Sequence, residues 1–130
     1  MGARENAALI RRGYAAFSAG DMATLTELFA DDIVWNVAGS GGLSGAKQGR
    51  DAVFAYFGEV TARSGGTLQI ALHDVMGGER HAIGLHHEDA ERENRVLYED
   101  VMLVFHIRDG RVTEVWEIPD DPASFNGFWA

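Results

Sequence analysis

Residues 95–119, RVLYEDVMLVFHIRDGRVTEVWEIP, constrain the fold more than any other stretch of the chain. Leu97, Glu99, Val101, Leu103, Phe105 and Ile107 alternate with more polar neighbours, the period of a strand with one buried face. Asp109-Gly110 follows, and both residue types tolerate the positive φ that a two-residue hairpin turn requires. The segment therefore predicts two long antiparallel strands, 95–108 and 111–119. An isolated hairpin is marginal in water, so these strands need further partners and a cover for their apolar face.

The preceding sequence supplies both. A helix is expected from about Glu5 to Ser18, with Ala7, Ile10, Tyr14 and Phe17 on one stripe. Gly20 stands where a helix ends in a left-handed residue, and Asp21 can cap a second helix that buries Met22, Leu25, Leu28 and Phe29. Ile33 to Val37 is a β-rich run, and a glycine-rich stretch, 39–49, is expected to be a loop at the lip of a pocket. A third helix spans about Arg50 to Arg63. Strands follow at roughly 67–76 and 80–91, with Gly77-Gly78 read as their hairpin turn. Pro122 is placed to start a short helix, and Phe125, Phe128 and Trp129 are too apolar for a solvated tail. The order predicts one α+β domain over 1–130: a cone-shaped roll of three N-terminal helices packed on a strongly bent, mainly antiparallel sheet, with one internal pocket.

Composition narrows the function classes. With 130 residues and 46% hydrophobic content the chain can form a core, burying roughly two-thirds of the surface its unfolded form exposes. Eleven basic against twenty acidic residues leave a net charge of −9. Nucleic acid and membrane surfaces are therefore not expected partners, because both are bound through Lys/Arg clusters. There are no cysteines, which excludes thiol nucleophiles and Cys-ligated zinc. The N-terminal stretch has no long uncharged apolar run, so a cytoplasmic location is expected. In His86-His87-Glu88-Asp89 only two possible ligands share each strand face, too few for a metal site. No cofactor is expected.

AAFSAGDMATLTELFADDIVWNV (15–37), LSGAKQGRDAVFAYF (43–57), VFHIRDGRVTEVWEIPDD (104–121) and FWA (128–130) together resemble the SnoaL-like branch of the nuclear transport factor two-like superfamily. That group includes ketosteroid isomerase, scytalone dehydratase, limonene epoxide hydrolase and the polyketide cyclases. The resemblance implies a deep apolar pocket and a homodimer formed through the outer sheet face. It does not carry over the isomerase's catalytic groups. Val37, or its neighbour Asn36, stands where that enzyme has its general base. Leu103 stands at its oxyanion aspartate, and Gly13 at its oxyanion tyrosine. The polyketide cyclase pattern is matched at Glu114, Trp116 and Asp120, which implies an acid–base role for Asp120; capping the last helix is its other reading.

Four polar residues are the candidate catalytic groups. Ile83 and Leu85 share a face with His87, opposite Leu72 and Ile70 across the first hairpin. The more apolar face should point inward, which puts His87 in or beside the pocket, where it is either a base or a histidine of the sheet rim bonded to backbone or water. Glu99 is the one charge on the apolar face of strand 95–108; lining the pocket it would have its pKa raised by burial, and at the rim it is an ordinary carboxylate. Tyr14 is either a core tyrosine or a ligand donor, and Asp120 completes the set. The expected aromatic wall is Phe17, Trp35, Phe54, Phe57, Trp116 and Trp129. Val37, Leu85, Val101 and Leu103 are its expected aliphatic part. Val75, Met102 and Val104 leave apolar area on the second sheet face for a second copy. The reading is a small-molecule pocket protein, an enzyme of cyclase, isomerase or hydratase type acting on an apolar cyclic or polyketide-like compound without a cofactor. Its alternatives are a non-catalytic binder of a hydrophobic metabolite and a protein-interaction domain.

Overall fold

The computed structural model describes residues 2–130; Met1, the first residue of the amino-terminal stretch read above, lies outside them. The elements in order are α1 (Ala3–Ala19), α2 (Met22–Leu28), β1 (Phe29–Val37), β2 (Gly45–Gln48), α3 (Arg50–Arg63), β3 (Gln69–Gly77), β4 (His81–Arg92), β5 (Arg95–Arg108), β6 (Arg111–Pro119) and α4 (Pro122–Trp129). The fold is the expected α+β roll: six strands in the order β2-β1-β6-β5-β4-β3, antiparallel except for the parallel β1–β6 pair. Among the described residues no helix is long and apolar enough to cross a membrane.

Local chemistry accounts for the helices. Gly20 takes the left-handed conformation at φ 69° and ends α1, since only glycine does so without a steric cost. The Asp21 carboxylate then accepts from the Thr24 N–H at 3.1 Å and starts α2. Asp121, one residue beyond the expected candidate Asp120, caps α4 by accepting from the Ser124 N–H at 3.2 Å. The apolar tail docks: Phe125, Phe128 and Trp129 are buried. Arginines hold its last turn, Arg63 donating to the Trp129 carbonyl and both Arg92 and Arg95 to those of Phe128 and Ala130.

The glycine-rich stretch differs from expectation. Gly45–Gln48 is a strand paired with β1, Val37 opposite Gly45 and Val34 opposite Gln48. The residues before it pack on α4: at Gly42, φ 55°, a Cβ would come within 2.8 Å of the Asn126 carbonyl oxygen. Backbone in close contact with a helix there leaves no room for a side chain.

The largest departure is the facing of β4. Its inner face carries Ala82, Gly84, His86, Glu88 and Ala90, all buried, while Ile83, Leu85 and His87 lie half-buried on the outer face. Two features change the pairing, and the second exchanges the faces. The β3–β4 turn is centred on Glu79-Arg80, with the Gly78 N–H donating to the His81 carbonyl at 2.7 Å, instead of on Gly77-Gly78. A β-bulge at His73 then shifts the register, so that Leu72 opposes His86 and Ile70 opposes Glu88. One extra residue exchanges the two faces of everything beyond it. Val75, expected on the outer face, is buried in the core opposite Gly84. Met102 and Val104 do lie half-buried outside.

Candidate functional site

The cone encloses a cavity between α1, α3, α4 and the inner sheet face. Its volume is about 80 Å³ for the centres of water-sized spheres, several times the roughly 10–15 Å³ that one water needs on that measure. The wall is almost wholly apolar. Phe17, Trp35, Phe57, Leu103 and Trp129 line it as expected, together with Phe29, Phe105 and Phe125. Phe17 and Phe57 meet edge to face at 5.0 Å, and Trp35 meets Phe57 at 5.1 Å.

Two polar constellations interrupt this wall. In the first, Tyr14 Oη lies 2.7 Å from His86 Nδ1, and His86 Nε2 lies 2.7 Å from Glu88 Oε2. His86 and Glu88 are 3% and 5% exposed. They share a face because they are two residues apart on a strand, and Tyr14 descends to them from the buried stripe of α1. Gly84 makes the descent possible, since a Cβ there would sit 2.5 Å from the Tyr14 hydroxyl and 2.7 Å from its ring. A carboxylate only accepts, so Nε2 donates to Glu88; in the neutral imidazole Nδ1 then accepts from the Tyr14 O–H. Burial, followed by the nearby Glu88 and Glu117, raises the Tyr14 pKa far above its ordinary value.

The second constellation centres on Glu117 of β6. Its Oε1 accepts from Trp35 Nε1 at 2.8 Å and from the Tyr56 hydroxyl at 3.0 Å. Burial, reinforced by the charge of Glu88, pushes the Glu117 carboxyl up to about 8, while the Trp35 and Tyr56 hydrogen bonds and Lys47 pull the other way. Burial thus favours the neutral acid form of Glu117, and with two donors on Oε1 its proton belongs on Oε2. Burial also raises the Tyr56 pKa. The site holds a chain of groups able to accept a proton and, in the same cavity, a carboxylic acid able to give one.

The other expected residues lie elsewhere. His87 is on the outer face, its Nδ1 3.1 Å from Asp100 and its Nε2 3.3 Å from Asp89. The hydrogen bond with Asp100, helped by Asp89, holds its pKa above the ordinary histidine value. His87 and Glu99 do not pair with each other, because His87 opposes Asp100 while Glu99 opposes Glu88. Glu99 is buried on the inner face but beneath the start of α4, where it accepts from the Asp121 N–H; burial raises its pKa. Asp120 is exposed on the rim of an outer groove that also contains His87. Leu85 and Trp116 are on the outer face, Trp116 edge-on to His106 at 4.7 Å. Val37 and Val101 are buried in the core without reaching the cavity wall, and Phe54 packs on Phe29 and Phe57 from a separate groove between α1 and α3.

Of the catalytic candidates only Tyr14 lines the cavity; His86, Glu88, Tyr56 and Glu117 were missed. A second β-bulge explains Trp116 and Glu117. An unbroken ladder from the Asp109-Gly110 turn would place Leu103 opposite Trp116. Thr113 is an extra residue on β6, so Leu103 opposes Glu117 instead.

Comparison with known proteins agrees with this architecture. The SnoaL-like domain matches residues 10–115. An uncharacterised protein of Mycobacterium tuberculosis is 36% identical over 123 residues, covering 94% of each chain. The solved structure of Bal32a, from a soil-derived mobile gene cassette, superposes with a TM-score of 0.94 at 39% identity and 98% coverage of each chain. A nuclear transport factor two-like protein of Burkholderia xenovorans shares the fold with a TM-score of 0.83 at 21% identity, covering all of this chain and 99% of that one. The cone, its inward-facing cavity and the match over most of its length place this chain in the SnoaL-like domain family.

Proposed function

We propose that the protein is a cofactor-free acid–base enzyme of the cyclase or isomerase type, acting on a compact ring-bearing molecule with an acidic C–H beside a carbonyl. The observation that carries this reading is the convergence of Tyr14–His86–Glu88 and Glu117 on one apolar cavity. A hydrogen-bonded relay able to accept a proton and a carboxyl able to give one, lining the same cavity, make an acid–base pair. In the proposed step the substrate C–H proton passes to the Tyr14 oxygen as the Tyr14 proton moves to His86 Nδ1. Glu88 holds the resulting imidazolium, and Tyr14 never exists as a free tyrosinate. Glu117 Oε2–H protonates the carbonyl oxygen, so that an enol forms without a free enolate.

The test is exchange of α-hydrogen for deuterium in a panel of small cyclic ketones, followed by NMR between pH 6 and 9. Exchange by the protein that disappears in Tyr14→Phe and His86→Ala is expected. Ketones that bind without exchanging would overturn the enzyme reading and leave a non-catalytic binder, the role favoured by Trp35 and Tyr56 already fixing Glu117 Oε1.

The same reading includes a homodimer. The outer sheet face carries Val96 and Tyr98, 72% and 75% exposed, with Met76 and Ile118 also exposed. Half-buried Ile83, Leu85, Met102, Val104 and Trp116 extend this apolar area, more than a solvated face needs. Sedimentation at micromolar concentration should give a dimer that Trp116→Glu dissociates; monomer alone in the parent protein would end this part of the proposal.

A further inference from the structure

Five buried polar side-chain atoms make no hydrogen bond of good geometry among the described residues: Asn6 Oδ1, His87 Nε2 (which still faces the Asp89 carboxylate at 3.3 Å), Arg92 Nε, Asn126 Oδ1 and Trp129 Nε1. Only Trp129 lines the cavity. Its side chain is 1% exposed, so bulk water does not satisfy the indole N–H. A buried donor left without an acceptor costs free energy, and native proteins keep few of them. Trp129 is also held in place. Its ring stands edge-on to Phe128 at 4.7 Å, and its carbonyl accepts from Arg63 at 2.5 Å. The two other tryptophans differ, since Trp35 is spent on Glu117 and Trp116 faces outward. The polar groups of Tyr14, His86, Glu88 and Glu117 engage one another or Trp35 and Tyr56. Beside the Glu117 Oε2–H, the Trp129 N–H is the donor on the residues lining the cavity that has no partner.

We infer that Trp129 is a specificity-determining residue whose indole N–H binds a neutral oxygen acceptor, a ketone or lactone carbonyl, on a ring-sized ligand. The acceptor is neutral because Glu88 and Glu117 share the cavity, and a carboxylate or phosphate would enter an apolar space already holding acidic groups. It is carried on a ring because the walls are aromatic and the cavity is compact. This inference rests on the cavity being the ligand site, and the experiment separates the two.

Three tryptophans give three indole N–H resonances, and Trp129→Phe removes and so assigns one. The probes are cyclohexanone and methylenecyclohexane, alike in shape, of which only the first carries oxygen. Cyclohexanone is expected to move the Trp129 resonance downfield, and methylenecyclohexane to leave it in place while shifting the cavity methyls of Leu9 and Leu103. Trp129→Phe should weaken cyclohexanone binding about tenfold, the equivalent of one hydrogen bond, with the hydrocarbon unaffected. If both probes bind but the Trp129 resonance stays fixed, or if the substitution weakens both equally, Trp129 is only wall and the cavity reading survives. If neither probe perturbs any cavity resonance at millimolar concentration, the cavity reading falls and this inference with it. Should Trp129→Phe fail to fold, the wild-type resonance shifts with the two probes decide the matter alone.

Discussion

Replacing Glu117 by glutamine should stabilise the protein by an amount that grows as pH rises from the ordinary carboxylate range through neutrality. Glutamine is close in shape to the neutral acid, and its carbonyl oxygen can keep the Trp35 and Tyr56 hydrogen bonds now made to Oε1. At pH 5 both side chains are neutral in the folded state, so the two proteins should differ by less than about 1 kcal/mol. The folded carboxyl titrates near 8 against an ordinary 4.5. Between those values the folded state holds a proton that the unfolded state releases, so the Glu117 contribution to stability falls as pH rises through this window and stays lost above it. At about 1.4 kcal/mol for each tenfold displacement in proton affinity, full ionisation is worth roughly 5 kcal/mol. Relaxation and water entry around the new charge reduce this, which leaves roughly 2–4 kcal/mol in favour of the glutamine variant at pH 9. The repulsion from Glu88 is already contained in that raised value. The assay is urea unfolding of both proteins at half-unit steps from pH 5 to 9. The difference between the curves cancels every group they share. A difference that is independent of pH, or a glutamine variant less stable at pH 9, would refute the assignment of Glu117 as a buried neutral acid.

Other substitutions test the placement of the neighbouring groups. Gly84→Ala forces a methyl into the Tyr14 ring; a loss of roughly 2–4 kcal/mol is expected from overpacking and from the broken Tyr14–His86 bond. Unchanged urea unfolding would show that Tyr14 does not lie over Gly84. His87→Ala should alter stability by no more than about 0.5 kcal/mol and leave deuterium exchange intact, whereas His86→Ala abolishes exchange. Equal effects from the two histidines would mean that the facing of β4 is wrong.

Much of the fold was legible because it depends on local chemistry and on periodicity. Asp109-Gly110 places a hairpin wherever it occurs between alternating strands, and the structure has both residues at positive φ, 53° and 74°. Gly20 and Asp21 punctuate α1 and α2 as expected. The inner face of β5 follows from alternation alone, since Leu97, Glu99, Val101, Leu103, Phe105 and Ile107 are all buried. Phe125, Phe128 and Trp129 dock because no solvated tail can carry them.

The site was legible only at Tyr14, Trp129 and part of the aromatic wall. Its catalytic groups lie on β4 and β6, and the tertiary structure decided which of their residues face inward. Local hydrophobicity pointed the wrong way on β4: the inner positions Ala82 and Gly84 are small because α1 fills the space above them with Tyr14. Ile83 and Leu85 look like core residues yet lie on the outer face. The residues at His73 and Thr113 each add one to a strand without leaving a mark in composition. The short β2, read as loop, appears only in the structure, while composition and alternation thus determine that five strands and four helices close around an apolar space. Which acids and which histidine enter it depends on two single-residue bulges, because a strand has period two and one extra residue turns every later side chain to the opposite face.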